Sequence, residues 1–406
     1  MARGGQGVAR RRVFYIPGYD PFPPRRYREL YRAEAAAQAA HSGYDIAVGQ
    51  GASPAGWSVR AVIEDAAVTA EVEVLVWSDI VQASMGHGIL ATYGQLLRTS
   101  RAYVGSGALF RLMRLRKGPV IAALYPIGML LAQLGVALLA ARLAGAGLAL
   151  ALALPPPWPW AGLLAAWPVL AAFRRADRKL YAYYLMHDYA HAAQLGGAYP
   201  PELETRMAQF GDRIAAALAT EADEVLVVGH SSGAHLAVSV LSELIRQGRV
   251  PADGPALSLL TLGQVVPMVS FLPRAARLRA DLHFLSAREE LAWVDVTAPG
   301  DGCAFALCDP VAVTGVAPPD KRWPLVISAA FTRTLTPATW ARLRWRFFRL
   351  HFQYLCAFDA LRGDAGEYDY FRITAGPLTL GERFARRAPS QSRIEAPASR
   401  YTSMAA

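Results

Sequence analysis

Residues 224–246 read EVLVVGHSSGAHLAVSVLSELIR, and this stretch decides the fold. Its first residues are mostly valine and leucine, which predicts a buried strand over 224–228, and the pattern that follows predicts a helix over 233–247. The junction between them, Gly229-His230-Ser231-Ser232-Gly233, is a G-x-S-x-G motif. Between a strand and a helix, this motif places its serine on a tight turn, because the flanking glycines let backbone and helix approach without a clashing Cβ.

The serine at the centre of this turn, Ser231, is the predicted nucleophile. A tight turn lifts its hydroxyl clear of the sheet edge, and the backbone N–H of Ser232, at the start of the helix, can donate a hydrogen bond to an oxyanion. A plain glycine-rich turn without chemistry is the alternative. The strand before the turn and the helix after it favour the nucleophile.

Short β-rich stretches alternate with helical ones on both sides of this turn. Strands are predicted over 12–17, 58–68, 71–78, 257–262 and 291–297, and helices over 25–41, 175–195 and 202–219. This alternation predicts an α/β fold with a mostly parallel sheet that is covered by helices on both faces. Residues 386–406 are rich in Ser, Pro, Ala and Arg, which predicts a disordered tail.

The apolar character of the chain is concentrated in one place. Apolar residues make up 53% of the 406 residues and charged residues 18%, a balance that excludes a disordered protein. Residues 119–173 contain a single charge, Arg142. A membrane-spanning helix needs about 20 apolar residues, so this run is long enough for two spans and a turn. The alternative, a buried helical hairpin in a soluble core, would carry a polar face that the run lacks.

Basic residues flank the apolar run on both sides, and such residues mark the cytoplasmic ends of spans. They are Arg111, Arg114, Arg116 and Lys117 before it and Arg174, Arg175, Arg178 and Lys179 after it. We therefore expect a two-helix transmembrane hairpin over 118–174, with both ends in the cytoplasm, as in a bacterial inner membrane. The outer turn falls either at Arg142 with Gly145 and Gly147, which we favour, or at the prolines of 155–157. No N-terminal signal peptide is expected, because the apolar stretch after Arg12 is too short.

With this motif in this setting, the sequence resembles the α/β-hydrolase superfamily over residues 12–385, with the apolar run inserted. The catalytic domain is then expected in two parts, 1–117 and 175–385. The resemblance implies a triad in the chain order Ser, Asp or Glu, His, so both partners of the serine follow it. The His351-x-x-Tyr354 spacing and the LLTLGQ segment at 259–264 also resemble the class 3 lipases.

The acid of the triad is expected in a loop after a strand. Asp301 lies in a glycine-flanked loop directly after the predicted strand 291–297 and is our first choice. Asp309 and Asp295 are the alternatives. An aspartate in such a loop can also simply stabilise its own turn.

Chain order points to His351 as the histidine of the triad. His283 precedes Asp301, and His235 lies in the helix after the nucleophile. If residues 337–355 form one helix, His351 can instead be a packing residue. In the triad, His351 takes the proton of Ser231, and Asp301 orients and stabilises the imidazolium.

The resemblance also implies a second oxyanion donor in the loop after the first strand. Here that loop reads Pro17-Gly18-Tyr19, and the resemblance points to the backbone N–H of Tyr19. Pro17 stands where many relatives carry a histidine before the glycine.

The remaining motifs point to no metal, cofactor or nucleic acid. His187 and His191 are spaced i, i+4, but the glutamate of H-E-x-x-H is missing, so no metal is expected. No cofactor is expected either, since neither a P-loop nor a dinucleotide fingerprint is present. The Trp-, Phe- and Arg-rich segment 340–349 favours an amphipathic helix that faces lipid or a partner over nucleic-acid binding. Three cysteines cannot form a disulfide framework, which indicates a reducing compartment.

The sequence therefore predicts a membrane-anchored serine hydrolase that cleaves an ester or thioester. The hairpin beside the site favours lipid-derived acyl substrates, with membrane lipid as a partner, and the net charge of +10 is assigned to membrane topology. The alternative is a non-catalytic membrane protein that uses a hydrolase-like scaffold for binding or assembly.

Overall fold

A computed structural model describes residues 7–86, 88–152, 158–364 and 366–405 of the chain. In this part of the chain, eight strands form one mixed sheet in the spatial order β2-β3-β4-β1-β5-β6-β7-β8. The strands are β1 (Arg10–Ile16), β2 (Asp45–Gln50), β3 (Gly56–Ile63), β4 (Ala66–Val74), β5 (Glu224–His230), β6 (Ala256–Leu262), β7 (Leu291–Thr297) and β8 (Leu325–Ser328). Strands β4, β1, β5, β6, β7 and β8 run parallel, and β2 and β3 add an antiparallel edge.

Helices account for most of the remaining described residues. The first nine are α1 (Pro24–Ser42), α2 (Ser78–Met85), α3 (Ile89–Gly105), α4 (Ala108–Leu115), α5 (Lys117–Ala151), α6 (Ala166–Arg175), α7 (Asp177–Leu180), α8 (Ala182–Ala193) and α9 (Pro201–Leu218). The others are α10 (Gly233–Arg246), α11 (Val266–Ser270), α12 (Ala276–Ser286), α13 (Pro310–Thr314), α14 (Phe331–Thr334), α15 (Pro337–Leu343), α16 (Phe347–His351), α17 (Tyr370–Ala375) and α18 (Leu380–Phe384). Two 3₁₀ helices cover Trp158–Ala165 and Gln353–Leu355.

The sheet has an apolar layer on each face, as the alternation of side chains along a strand requires. From β1, Val13 and Tyr15 pack with α1, α17 and α18, whereas Phe14 and Ile16 pack with α9, α10 and α12. Strand β5 is buried along its whole length, because it lies between parallel neighbours under both layers. The α/β fold with helices on both faces is thus confirmed.

Most predicted elements are confirmed to within a few residues, but the strands predicted over 58–68 and 71–78 are wrong in their bounds. The chain turns at Glu64 and Asp65, which both have positive φ, so β3 ends at Ile63 and β4 covers Ala66–Val74. No prediction covered β2, β8, α2, α3, α4, α11 to α14, α17 or α18. The helix expected over 175–195 is interrupted at Tyr181, which has a left-handed backbone (φ 57°). Residues 337–355 do not form one helix but α15, α16 and a 3₁₀ turn.

The apolar run contains one long helix instead of the expected pair. Helix α5 has 35 residues and is long and apolar enough to cross a membrane, and only 28% of its most apolar window is buried. It continues through Arg142, Gly145 and Gly147, so the favoured turn at these residues is wrong. Each glycine lowers the stability of a helix by only about 1 kcal/mol, which is too little to end a helix that has apolar residues both before and after the two glycines. The alternative turn at 155–157 lies outside the described residues.

The chain returns along α5 as a 3₁₀ helix and the short helix α6, not as a second long helix. Small residues make the return possible. A Cβ on Gly162 would lie 1.9 Å from the carbonyl oxygen of Ala141 and 2.5 Å from the nitrogen of Gly145. Such close backbone approach between small residues is typical of helix packing in membranes.

The C-terminal residues are packed against the domain. The N–H of Ile394 donates to the carbonyl of Leu307, and Asp309 donates back to Ile394. Further along, Arg279 donates from its Nε to the carbonyl of Ser403 over 2.7 Å. These contacts differ from the disordered tail expected for 386–406. A low-complexity segment can be ordered when its backbone groups find partners on a folded surface.

Candidate active site

Ser231 lies at the sharp junction between β5 and α10. Its φ of 56° falls in the left-handed region, which costs a non-glycine residue about 1–3 kcal/mol. A hydrogen bond of 2.9 Å from its N–H to the carbonyl of Leu262 helps to hold the turn. Gly233 is required for space, because a Cβ there would lie 2.1 Å from the carbonyl oxygen of Ile16. The glycines of the motif thus let helix α10 pack directly on β1.

The loop after β1 reaches the same point, since β1 and β5 are parallel neighbours with Ile16 opposite Gly229. A Cβ on Gly18 would lie 2.9 Å from the Cβ of Ser231, so only glycine fits there. Tyr19 follows directly, and its carbonyl accepts a hydrogen bond of 2.6 Å from the hydroxyl of Tyr184.

Both predicted oxyanion donors are therefore next to the serine in the fold. Ser232 immediately precedes α10, where the first backbone N–H groups have no intrahelical acceptor. Tyr19 follows the glycine that contacts Ser231, and both Tyr19 and Ser232 line the same cavity.

Asp301 and His351 form a buried hydrogen-bonded pair. The Oδ2 atom of Asp301 lies 2.7 Å from Nδ1 of His351 and also accepts a hydrogen bond of 3.0 Å from the hydroxyl of Tyr354. The other carboxylate oxygen accepts from the N–H of Cys303 over 2.9 Å. Tyr354 is itself fixed, because its hydroxyl accepts from the N–H of Ala298. The imidazole thus has its Nδ1 side held by a carboxylate, leaving Nε2 for other partners.

The electrostatics of Asp301 suit this pairing. Burial raises the pKa of its carboxyl, but the adjacent His351 and the hydrogen bonds from Cys303 and Tyr354 lower that pKa by more than burial raises it. The pKa of Asp301 therefore lies below its ordinary value. Asp301 is therefore ionised at neutral pH. A buried carboxylate in this position stabilises an imidazolium.

A second histidine, His230, holds the backbone at His351. Its Nε2 lies 3.0 Å from the carbonyl oxygen of His351, and the two rings are 4.9 Å apart. Burial lowers the pKa of His230 to about 3, so the ring is neutral. Because a carbonyl can only accept, Nε2 of His230 carries the proton.

Ser231 and His351 both line one cleft, which is open to solvent. Its walls are mostly apolar and aromatic, and their other members are Gly18, Tyr19, Asp20, Pro119, Tyr184, Leu185, Asp188, Tyr189, Ala192, His230, Ser232, Val265, Met268, Val269, Cys303, Phe348 and Phe352. An apolar cleft with a few converging polar groups is typical of a small-molecule site.

The alternative acids have other surroundings. Asp309 caps helix α13 and forms a 2.6 Å ion pair with Lys321. Asp295 accepts from the hydroxyl of Thr261, and burial raises its pKa to about 8, which favours the neutral acid. In the part of the chain that the structure describes, neither residue lines the cleft.

Four other histidines have contacts of their own. His235 bonds the hydroxyl of Tyr199, and His283 bonds the carbonyl of Val316. His187 bonds Gln95, whereas the ring of His191 packs against Tyr19 and Trp77.

One group of side chains has the composition of a metal site. The ligand atoms of Asp301, Cys303 and His351 lie within 4.8 Å of one another. The carboxylate and imidazole atoms already bond each other, and burial raises the pKa of the Cys303 thiol well above its usual value, which disfavours the thiolate that a metal would need. The set fits an acid–histidine pair better than a metal centre.

Three residues of the site were missed as functional residues. Tyr354 bonds Asp301, His230 bonds the backbone of His351, and Asp188 faces the cleft. The His-x-x-Tyr spacing was the one available signal for Tyr354. The other two contacts join segments far apart in the chain, so no local pattern announces them.

No protein-family model, no curated protein and no solved structure matches this chain.

Proposed function

We propose that this chain is a membrane-anchored serine hydrolase with an α/β-hydrolase-like fold, acting on an ester or thioester. Ser231 is the nucleophile, His351 the general base and Asp301 its acid partner. The observation that carries the proposal is the buried Asp301–His351 hydrogen bond on a cleft that also holds Ser231 on a strained turn. Strained backbone and paired titratable groups in one cleft are typical of catalytic sites.

The chemistry follows from this arrangement. The Oγ of Ser231 attacks the substrate carbonyl carbon while His351 takes its proton, and the backbone N–H groups of Ser232 and Tyr19 stabilise the oxyanion. The carbonyl bond to the alcohol or thiol breaks, and the leaving group takes the proton from His351. Water, deprotonated by His351, then attacks the acyl-enzyme, which releases the carboxylic acid and restores Ser231.

The long helix supports a membrane anchor and a lipid-derived substrate. The first turn of α5 packs against the loop that carries Asp301, because a Cβ on Gly118 would lie 3.3–3.4 Å from Gly302. The next residue, Pro119, lines the cleft. Arg116 donates from its Nε to the carbonyl of Ala306 over 2.7 Å, which fixes the helix to the same loop. A substrate that partitions into the bilayer would therefore be concentrated close to the nucleophile.

The proposed topology is a hairpin that enters and leaves the membrane from the cytoplasmic side of a bacterial inner membrane. Basic residues support it, because Arg116 and Lys117 begin α5 while Arg174 and Arg175 end α6. The catalytic domain then stays in the cytoplasm. Protease access in right-side-out vesicles tests this, since cleavage within 175–405 would contradict a cytoplasmic domain.

A fluorophosphonate probe tests the enzyme proposal. We expect covalent labelling of the wild type in membranes and complete loss of labelling in Ser231→Ala. Ser53→Ala, in the turn between β2 and β3, is the matched control and should label like the wild type. Failure of folded wild type to label, together with failure to hydrolyse p-nitrophenyl butyrate, would favour the non-catalytic scaffold instead.

A further inference from the structure

One polar group on the wall of the cleft has no role in the proposed triad. Asp188, on helix α8, lines the cleft beside Tyr184 and Tyr189 and close to His351. Among the described residues no group donates a hydrogen bond to its carboxylate. The hydroxyl of Tyr184, on the same helix, donates to the carbonyl of Tyr19 instead.

An unpaired carboxyl in an apolar cleft has consequences for binding. In the free protein, water entering the cleft can hydrate Asp188, but a bound substrate displaces that water. A carboxyl left without a donor under a bound ligand loses its hydration with nothing in return, whereas a hydrogen bond to a charged group is among the stronger hydrogen bonds. The cleft therefore favours a substrate that supplies a donor at this position and rejects one that does not.

The choice between a neutral and a cationic donor follows from the position of His351. In the proposed mechanism this imidazole becomes positively charged in the transition state, and it is close enough to Asp188 to lower the pKa of that carboxyl. A substrate cation held at Asp188 would be repelled by the imidazolium just when the barrier is crossed. A neutral hydroxyl carries no such penalty.

Building on the proposed function, we infer that Asp188 binds a free hydroxyl group of the substrate close to the scissile ester. The substrate class is then a hydroxylated ester, such as a partial glyceride or a hydroxyacyl ester, with its apolar portion along the aromatic wall of the cleft. Asp188 is thus a specificity residue distinct from Asp301, whose oxygens are occupied by His351, Tyr354 and Cys303.

The test compares matched esters at pH 8. For wild type, kcat/KM should be at least tenfold higher for the hydroxylated ester in one of two pairs. The pairs are 2,3-dihydroxypropyl butyrate against propyl butyrate, and p-nitrophenyl 3-hydroxybutyrate against p-nitrophenyl butyrate. Asp188→Leu should abolish that preference, whereas Asp188→Asn, whose amide oxygen still accepts a hydrogen bond, should keep most of it. Butyrylcholine against 3,3-dimethylbutyl butyrate reports on a cationic donor.

Each outcome bears on the inference. No preference in either hydroxyl pair, a preference for the cationic ester alone, or a hydroxyl preference that survives Asp188→Leu would overturn it. Equal losses on both members of a pair in Asp188→Leu and Asp188→Asn would assign Asp188 a purely electrostatic role on His351, which also overturns it. Labelling of Ser231 by a fluorophosphonate in all variants separates these results from failure of the proposed function, in which wild type would not label.

Discussion

The edge of the sheet that carries the proposed triad of Ser231, Asp301 and His351, the proposed catalytic edge, differs from helix α5 in how polar and apolar groups are arranged. At this edge the carboxylate of Asp301 is satisfied by the protein, since it accepts three hydrogen bonds. On α5, Leu131, Leu139 and Leu143 are 52–64% exposed, whereas Gln133 is buried. Exposed leucines cost free energy in water but not in hydrocarbon, so the proposed membrane location of α5 would remove that cost. If this contrast holds, substitutions in the two regions should have different effects.

The largest effect is expected at the acid of the catalytic edge. Asp301→Asn should lower kcat on p-nitrophenyl butyrate by about 10³–10⁴-fold, because the amide no longer stabilises the imidazolium of His351. Asp309→Asn is the matched control. This variant loses the ion pair with Lys321 but can still cap α13. We therefore expect a free energy of unfolding lower by about 1–3 kcal/mol, seen as a lower unfolding midpoint, and a kcat within twofold of wild type. Similar kcat losses in both variants would contradict the assignment of Asp301.

How much of this contrast was predictable depends on how local its causes are. Ser231 and the elements around it could be predicted, because strand, turn and helix adjoin in the chain and each carries its own pattern. Asp301 and His351 followed from a loop position and from chain order. The contacts of His230 and Asp188 could not be predicted, since they depend on packing between β5, α8 and α16. The turn in the apolar run was misplaced because Gly145, which suggests a turn, serves here as a packing site for the returning chain at Gly162.

The next effect concerns the apolar helix. Leu139→Arg places a charge on the exposed face of α5, which costs about 2.5–3.5 kcal/mol if that face lies in hydrocarbon. We expect a larger fraction of the chain to be extracted from membranes by alkaline carbonate. Val62→Arg, at an exposed apolar position on β3, should leave the extracted fraction unchanged. If both variants fractionate like the wild type, α5 does not lie in the bilayer.

Two glycines allow the regions to be compared by the same substitution. Gly18→Ala places a Cβ 2.9 Å from that of Ser231, so the loop or the nucleophile must shift. We expect a loss of about tenfold or more in kcat/KM, because misplacing reacting groups is costly. A Cβ on Gly135 of α5 would contact nothing within 4 Å. Gly135→Ala should therefore keep full activity and add up to about 1 kcal/mol of helix stability. Equal kcat/KM in the two variants would show that the close approach of Gly18 to Ser231 is not needed for activity.

The smallest effect is a pH dependence of stability at the catalytic cleft. Burial raises the pKa of Asp188 to about 7, and His351 lowers it only in part. Tyr184, Tyr189, Tyr19 and Cys303 also face it, and all are neutral at pH 7. Between the ordinary carboxyl pKa and 7, the folded state binds more protons than the unfolded state, so this group lowers the free energy of unfolding as pH rises.

Asp188→Asn does not titrate and should remove that decline. Relative to wild type, the variant should gain on the order of 1–2 kcal/mol in free energy of unfolding between pH 5 and pH 8, after allowing for solvent in the open cleft. Thermal unfolding in detergent at both pH values measures the difference, and Asp253→Asn, in an exposed loop, controls for the change in net charge. If Asp253→Asn gains as much free energy of unfolding, the decline in wild type comes from overall charge. If Asp188→Asn keeps the pH profile of wild type, Asp188 ionises in the folded protein as readily as in the unfolded chain. The comparable substitution on α5, Gln133→Leu, changes no titratable group. The pH-dependent part of the free energy of unfolding should therefore come from the proposed catalytic cleft and not from the helix.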